Sequence, residues 1–288
     1  MIEGLRLIRP LQFGPVSEVW QATLGHRPVI AKRYPTVRID GPWPPPPDAR
    51  ILTAIAHRHI VRLLASGTDA DQALVHVFEA LDGETLAACM GRPDACGPDL
   101  AIRVLLDAGS ALRWLHLRNP LAPRLHGDLS PANVFVCASG RVKLLDVSGQ
   151  APGQGEAAEG WVCGTAGFVS PDRARGASLR PCDEVYALGR VLEAIATADV
   201  APWFQMLIAA MTAVDAEARP SIDDVMTFAR ARARLHPRAA TRTPGDESLP
   251  TAGDPCSSRG WSRPAGSRRP FVRRTSGTPR RKTPGTPS

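Results

Sequence analysis

Apolar and polar residues alternate with a period of two from Arg6 to Tyr34, through RLIRPLQFGPVSEVWQATL and RPVIAKRY. That period puts successive side chains on opposite faces and predicts antiparallel strands, with a turn at Gly14, Pro15 and Ser17. GPWPPPP (41–47) then predicts a stiff polyproline-like lead-in. DARILTAIAHRHIVRLL has helical spacing through Ile51, Leu52 and Ile55, with Pro47 near the first helical position. VRLLASG and ALVHVFEAL predict two further strands, a run ended by Gly83. From Asp99 the period lengthens. Ile102, Leu105, Leu106, Leu112 and Leu115 predict a long amphipathic helix, and DEVYALGRVLEAIATA, WFQMLIAAMTAV and SIDDVMTFARARARL predict three more. Between them, VFV and VKLL read as a short hairpin turning at Ala138-Ser139-Gly140. Strands come first and helices second, which predicts an α+β fold.

Charge divides the chain differently. Residues 238–288 carry a net charge of +8, whereas the first 237 carry −1. That last stretch is rich in Pro, Arg, Ser, Thr and Gly and cannot bury enough apolar surface to order itself, so a disordered tail is expected. It carries no RNA- or DNA-binding motif, and no specific nucleic-acid role is expected of it. The six cysteines show no CxxC pair and no metal-ligand spacing with the seven histidines, and are read as reduced, mostly buried thiols. No secretory segment and no membrane span are apparent, so a cytoplasmic location is expected. Arg outnumbers Lys by 32 to 3, so the retention of Lys32 in a strand points to a place that needs a compact point charge. The bias also suggests a GC-rich bacterial source.

Chemistry concentrates in LHGDLSPANVFV (125–136). Asp128 is followed five residues later by Asn133, and the second hairpin strand delivers Asp146. An acid, an amide and a second acid at the ends of one hairpin suit magnesium, which takes hard oxygen ligands, together with a hydroxyl nucleophile.

These residues resemble the eukaryotic-type protein kinase family from about Leu5 to Leu235. LQFGPVSEVW resembles the Gly-rich loop, VIAK the strand bearing the phosphate-binding lysine, and FEAL the hinge. HGDLSPAN resembles the catalytic loop, LLDVSG the metal loop, GTAGFVSPD the end of the activation segment, and CDEVYALG and ARPS the braces of the lower lobe. The resemblance implies a bilobal fold: a small β lobe with one helix over 1–81, a mainly helical lobe over 82–237, and the tail. It implies Asp128 and Lys32 as catalytic groups, with Asn133 and Asp146 on magnesium. The nucleotide site would comprise Gln12, Phe13, Gly14, Pro15, Val19, Ala31, Lys32, Asp48, Phe78, Glu79, Leu81 and Asn133. Asp183 would tie down the catalytic loop. The implied activity is ATP- and Mg-dependent transfer to Ser/Thr of proteins, including the tail itself at RRTSGT and four Thr-Pro pairs. A nucleotide-binding scaffold and an aminoglycoside-type phosphotransferase are the alternatives.

Departures from the family pattern are specific. Gln12 and Ser17 stand where the loop has glycines. Asp48 stands where a helix glutamate pairs with the lysine, although an acid there also complements a helix dipole. Gly127 replaces an arginine, Ser130 a lysine, Val147-Ser148 a Phe-Gly, and Asp172 the glutamate that pairs with Arg219. His57, His59 and His126 read as packing residues. The stretch 149–164 contains no Ser, Thr or Tyr, so no priming phosphorylation is expected there.

Overall fold

A computed structural model describes residues 1–35, 45–92, 95–119, 122–152, 161–162, 164–235 and 273–274. The alternating N-terminal sequence forms strands β1 (Leu5–Phe13), β2 (Glu18–Leu24), β3 (Arg27–Tyr34), β4 (Leu63–Thr68) and β5 (Leu74–Glu79) of one antiparallel sheet, ordered β1-β2-β3-β5-β4. One sheet face buries Ala22, Val29, Ala31, Val75 and Val77. The opposite face carries the cross-strand sets Val19–Lys32–His76 and Ile30–Phe78.

Helix α1 (Ala49–Ala54) is far shorter than its apolar spacing suggests. Pro45–Pro47 bar its extension towards the N-terminus, because proline disfavours helical geometry in the residue before it. Pro47 therefore precedes the cap, and Asp48 is the N-cap, accepting the Arg50 N–H at 2.8 Å. At the other end the backbone leaves the helix to bridge Ile60 with Leu144. The start of the polyproline stretch lies outside the described residues.

A second sheet joins β6 (Gly83–Thr85), β7 (Val134–Cys137) and β8 (Val142–Leu144). Gly83 thus begins a strand rather than ending a run. It takes φ +138°, and a Cβ there would lie 2.1 Å from the Val136 carbonyl, so only glycine allows this pairing. Short helix α2 (Leu86–Cys89) follows.

Helix α3 (Pro98–Leu117) begins with Pro98 and Asp99 in its first turn and buries Ile102, Leu105, Leu112 and Leu115. After α4 (Pro171–Ala174) come α5 (Pro181–Ile195), α6 (Pro202–Met211) and α7 (Ile222–Leu235), and α3 packs against α5 and α7. Their apolar faces form the main core with α1, β7 and β8. Asp107, buried on α3, accepts the Val142 N–H at 2.9 Å and so fixes the β7–β8 hairpin to the helical core.

No described helix is long and apolar enough to cross a membrane. Cys89 is buried, but Cys96, Cys137 and Cys182 are only half-buried, a correction to the expectation of mostly buried thiols. The tail lies outside the described residues except for β10 (Arg273–Arg274), which pairs with β9 (Trp161–Val162).

Candidate functional site

The site is assembled where the first sheet meets the β7–β8 hairpin. Leu145 donates its N–H to the Asn133 carbonyl at 2.8 Å, tying the start of the hairpin to its end. That link brings Asp128, Asn133 and Asp146 into one neighbourhood. Asp146 adopts φ +57°, a left-handed conformation uncommon outside glycine. Strain of this kind persists where surrounding structure fixes it. Its carboxylate bonds the Lys32 ammonium from β3. Burial pulls the Lys32 pKa down, but the Asp146 carboxylate and Tyr34 outweigh it, so the ammonium titrates above its ordinary value. For Asp146 burial pushes upward, and Lys32 outweighs that to leave the carboxyl below its usual range. Both groups are held charged.

Asp128 is braced from two sides. Thr165 donates its N–H and its Oγ1–H to Asp128 Oδ1, each at 2.9 Å. Asn133 Nδ2 donates to the Asp128 carbonyl at 2.7 Å and approaches Oδ2 at 3.4 Å. With its NH₂ so engaged, the Asn133 amide offers its oxygen outward. Asp128 lines a small, partly open pocket with Thr165, Phe168, Val169 and Leu179.

Two adjacent acids on α5 divide the support. Glu184, buried, accepts the Gly127 N–H at 2.7 Å through Oε1 and pairs with His116 at 2.7 Å through Oε2. The acid that ties down the catalytic loop is therefore Glu184, not Asp183. Asp183 instead accepts from Ser170 Oγ at 2.6 Å and from the Arg180 N–H at 2.9 Å, and lies 3.4 Å from Arg219. Arg219 also reaches Asp172 at 3.5 Å. Both acids lie in the first turn of α5, and the one-residue offset, about 100° around the helix, turns them to different partners.

Gly127 takes φ +96°, and a Cβ there would lie 2.5 Å from Ser148 Oγ. Ser148 in turn donates its N–H to the His126 carbonyl at 2.8 Å. The two departures from the family pattern are thus one packing arrangement: the serine fills the space beside the glycine.

Other expected residues fall as follows. Val19 and Phe78 share the Lys32 face of the sheet, and Gln12 pairs with Val19. Ala31 does not share it. Strand alternation turns it to the other face, where it is fully buried among Val29, Val75 and Val77, so it cannot line the cleft. Ile30, opposite Phe78, holds that place, and period-two alternation counted back from Lys32 was the signal that identifies it. Asp48 does not pair with Lys32. Helix α1 begins so late that Asp48 caps it, and its carboxylate is held by Arg50, which is the first cause of its lowered pKa. Gly14 donates its N–H to the Ser17 carbonyl at 2.9 Å, closing the turn that contains Pro15, and Phe13 beside it is exposed. Glu79 donates its N–H to the Arg62 carbonyl at 3.0 Å, while its carboxylate takes Lys143 from β8. Lys143 was not singled out by sequence, yet it links the edge of the first sheet to the hairpin. Leu81, two residues after Glu79, is half-buried.

Against known proteins, the family described as protein kinase domain matches residues 46–204, more than half of the chain. The serine/threonine-protein kinase PknB of Mycobacterium tuberculosis is 33% identical over 163 residues, covering 53% of this chain and 25% of its own length. The protein of the same name from Mycobacterium leprae is 32% identical over 158 residues, with 53% and 25% covered. The serine/threonine-protein kinase pkn2 of Myxococcus xanthus is 29% identical over 197 residues, with 64% and 23% covered. The chain thus spans about a quarter of the length of these relatives.

Proposed function

The chain belongs to the protein kinase family, and from that premise we propose that it transfers the γ-phosphoryl group of ATP to Ser/Thr hydroxyls of proteins, with magnesium. The observation that carries this reading is the brace on Asp128. Thr165 holds Oδ1 with two hydrogen bonds, which leaves Oδ2, approached at 3.4 Å by Asn133 Nδ2, as the oxygen to orient an incoming hydroxyl and take its proton. Phosphoryl transfer asks little covalent chemistry of a protein. Charge spreads over the transferring oxygens, so position and electrostatics dominate. Lys32, held charged beside Asp146, supplies a fixed cation for the phosphates.

The donor set fits magnesium. Asp146 offers a carboxylate, and Asn133 offers its amide oxygen because its nitrogen is bound to Asp128. Two hard protein oxygens suit an ion that keeps waters and phosphate oxygens as its remaining ligands. When bound, magnesium neutralises phosphate charge. Val19, Ile30 and Phe78 would enclose adenine, with Glu79 and Leu81 offering backbone groups. Gln12, Phe13, Gly14 and Pro15 would cover the phosphates. We place the division between lobes near Leu81–Gly83, with the tail from residue 238.

The test is incorporation of radiolabel from ATP into a generic basic protein, with an aminoglycoside panel in parallel. Transfer to protein that falls by several orders of magnitude in Asp128→Asn, while ATP still binds, supports the reading. Transfer confined to the aminoglycosides would replace it. Magnesium-dependent ATP binding without any transfer would leave a scaffold.

A further inference from the structure

Two sequence features have no part in that chemistry. Residues 149–164 contain Glu156 and Glu159 and no Lys or Arg. Residues 238–288 contain one valine, Val272, beside Phe271, and Arg268, Arg269, Arg273 and Arg274 flank that pair. Adjacent aromatic and β-branched residues favour extended pairing. The structure pairs two residues from each of these stretches. β10 pairs antiparallel with β9, Arg273 opposite Val162 and Arg274 opposite Trp161. Among the described residues β9 has no other strand neighbour.

We propose that the edge of β9 is a docking strand for an extended Arg-Arg segment, and that the chain's own C-terminal segment occupies it in cis. Main-chain hydrogen bonds supply the affinity of such strand addition. Tethering on one chain makes the association intramolecular, which raises the effective concentration without any new contact.

Strand direction decides what the docked segment does. β9 runs on towards Thr165, which holds Asp128. β10 runs antiparallel to it, so the paired Arg273–Arg274 backbone is directed away from Thr165. This pairing sets two arginines, not a hydroxyl residue, against β9. The docked segment competes with protein substrates lying along the same edge. That consequence rests on the kinase reading; the docking itself does not.

The experiment uses the full chain and the double variant Arg273→Pro/Arg274→Pro, which removes two backbone donors from β10. Hydrogen exchange is measured at the Trp161 and Val162 amides. Exchange about tenfold slower in the wild type than in the variant is expected, the scale of one or two net hydrogen bonds. Equal exchange in both proteins overturns the docking, whether or not either protein transfers phosphate. Kinetics with a synthetic peptide of residues 268–276 as acceptor form the second arm. A lower KM in the proline variant with unchanged kcat supports competition for the edge. An unchanged KM alongside lost protection overturns the competition and leaves docking alone. If neither protein transfers phosphate, the kinase reading fails while the exchange result still decides the docking.

Discussion

Replacing Glu184 by Gln separates the two adjacent acids of α5 by function. The amide keeps the shape of the carboxylate: its oxygen can still accept from the Gly127 N–H, while its NH₂ donates to His116 Nε2 once the imidazole takes the tautomer that leaves that nitrogen an acceptor. What it loses is charge on two buried hydrogen bonds, each 2.7 Å long in the wild type. Bonds to a charged group are worth about 1.5–3 kcal/mol and neutral ones about 0.5–1.5, so each bond weakens by about 1–1.5 kcal/mol. The variant should lose about 2–3 kcal/mol of unfolding free energy in a urea titration. Alanine would instead leave a buried N–H and a buried imidazole unpartnered, at about 3–5 kcal/mol. That approaches the whole stability of a domain, which makes Gln the informative variant.

Local exchange locates the effect. A weakening of about 1–1.5 kcal/mol should speed hydrogen exchange at the Gly127 amide about tenfold in Glu184→Gln. Asp183→Asn touches Ser170, the Arg180 N–H and Arg219, none of which reaches Gly127. It should speed exchange at the Arg180 amide and leave Gly127 protected. Because Gly127 directly precedes Asp128, kcat should fall further in Glu184→Gln than in Asp183→Asn. The reasoning is refuted if Asp183→Asn exposes the Gly127 amide while Glu184→Gln leaves it protected.

Three further outcomes can be checked. Asp48→Asn, which retains a good capping residue, should keep both thermal stability and kcat, and Asp48→Ala should lower stability while kcat stays near wild type; a kcat loss common to both would restore the pairing with Lys32. Burial, with the charges of His59 and Arg58 adding, holds the His57 imidazole down at about 4 against 6.5. A histidine depressed in the folded state is neutral there, so its contribution is complete above pH 6.5 and is lost as pH falls towards 4, and urea titrations between pH 7 and pH 5 should show His57→Gln losing less stability than the wild type. Gly127→Ala should destabilise by about 1–3 kcal/mol through its positive φ and its clash with Ser148, and adding Ser148→Gly should recover the steric part in a thermal melt.

Sequence reading succeeded where one period governs a whole element and failed at offsets of one residue. The strands of the first sheet, helices α3 and α5 to α7, and the meeting of Asp128, Asn133 and Asp146 were legible because each rests on a repeated pattern or a fixed spacing. Ala31 was misplaced because a strand reverses its face with every residue, and the motif was matched without counting back from Lys32. Asp183 was singled out from the motif, but one position along a helix turns a side chain by about 100°, and it is Glu184 that meets the Gly127 N–H. Asp48 was misjudged for a different reason. Its alignment with the helix glutamate is a statement about order along the chain, but the prolines before it decide where the helix begins, and a carboxylate at the cap is directed to its own first turn.

The same logic joins Gly127 to the loop that follows Asp146. An arginine at that position would place a cation beside Asp128, and cations so placed are commonly matched by phosphate on the activation segment. Here Ser148 occupies the space beside Gly127, so the site has neither the charge nor the room for it. The sequence from 149 to 164 supplies no hydroxyl to phosphorylate. Asp128 is already held by Thr165 without a phosphate in the arrangement. The expected outcome is that phosphatase-treated protein begins transfer without a lag. A concentration-dependent lag that pre-incubation with ATP abolishes would mean that another residue carries a priming phosphate, and that the glycine–serine packing is not what sets the resting state.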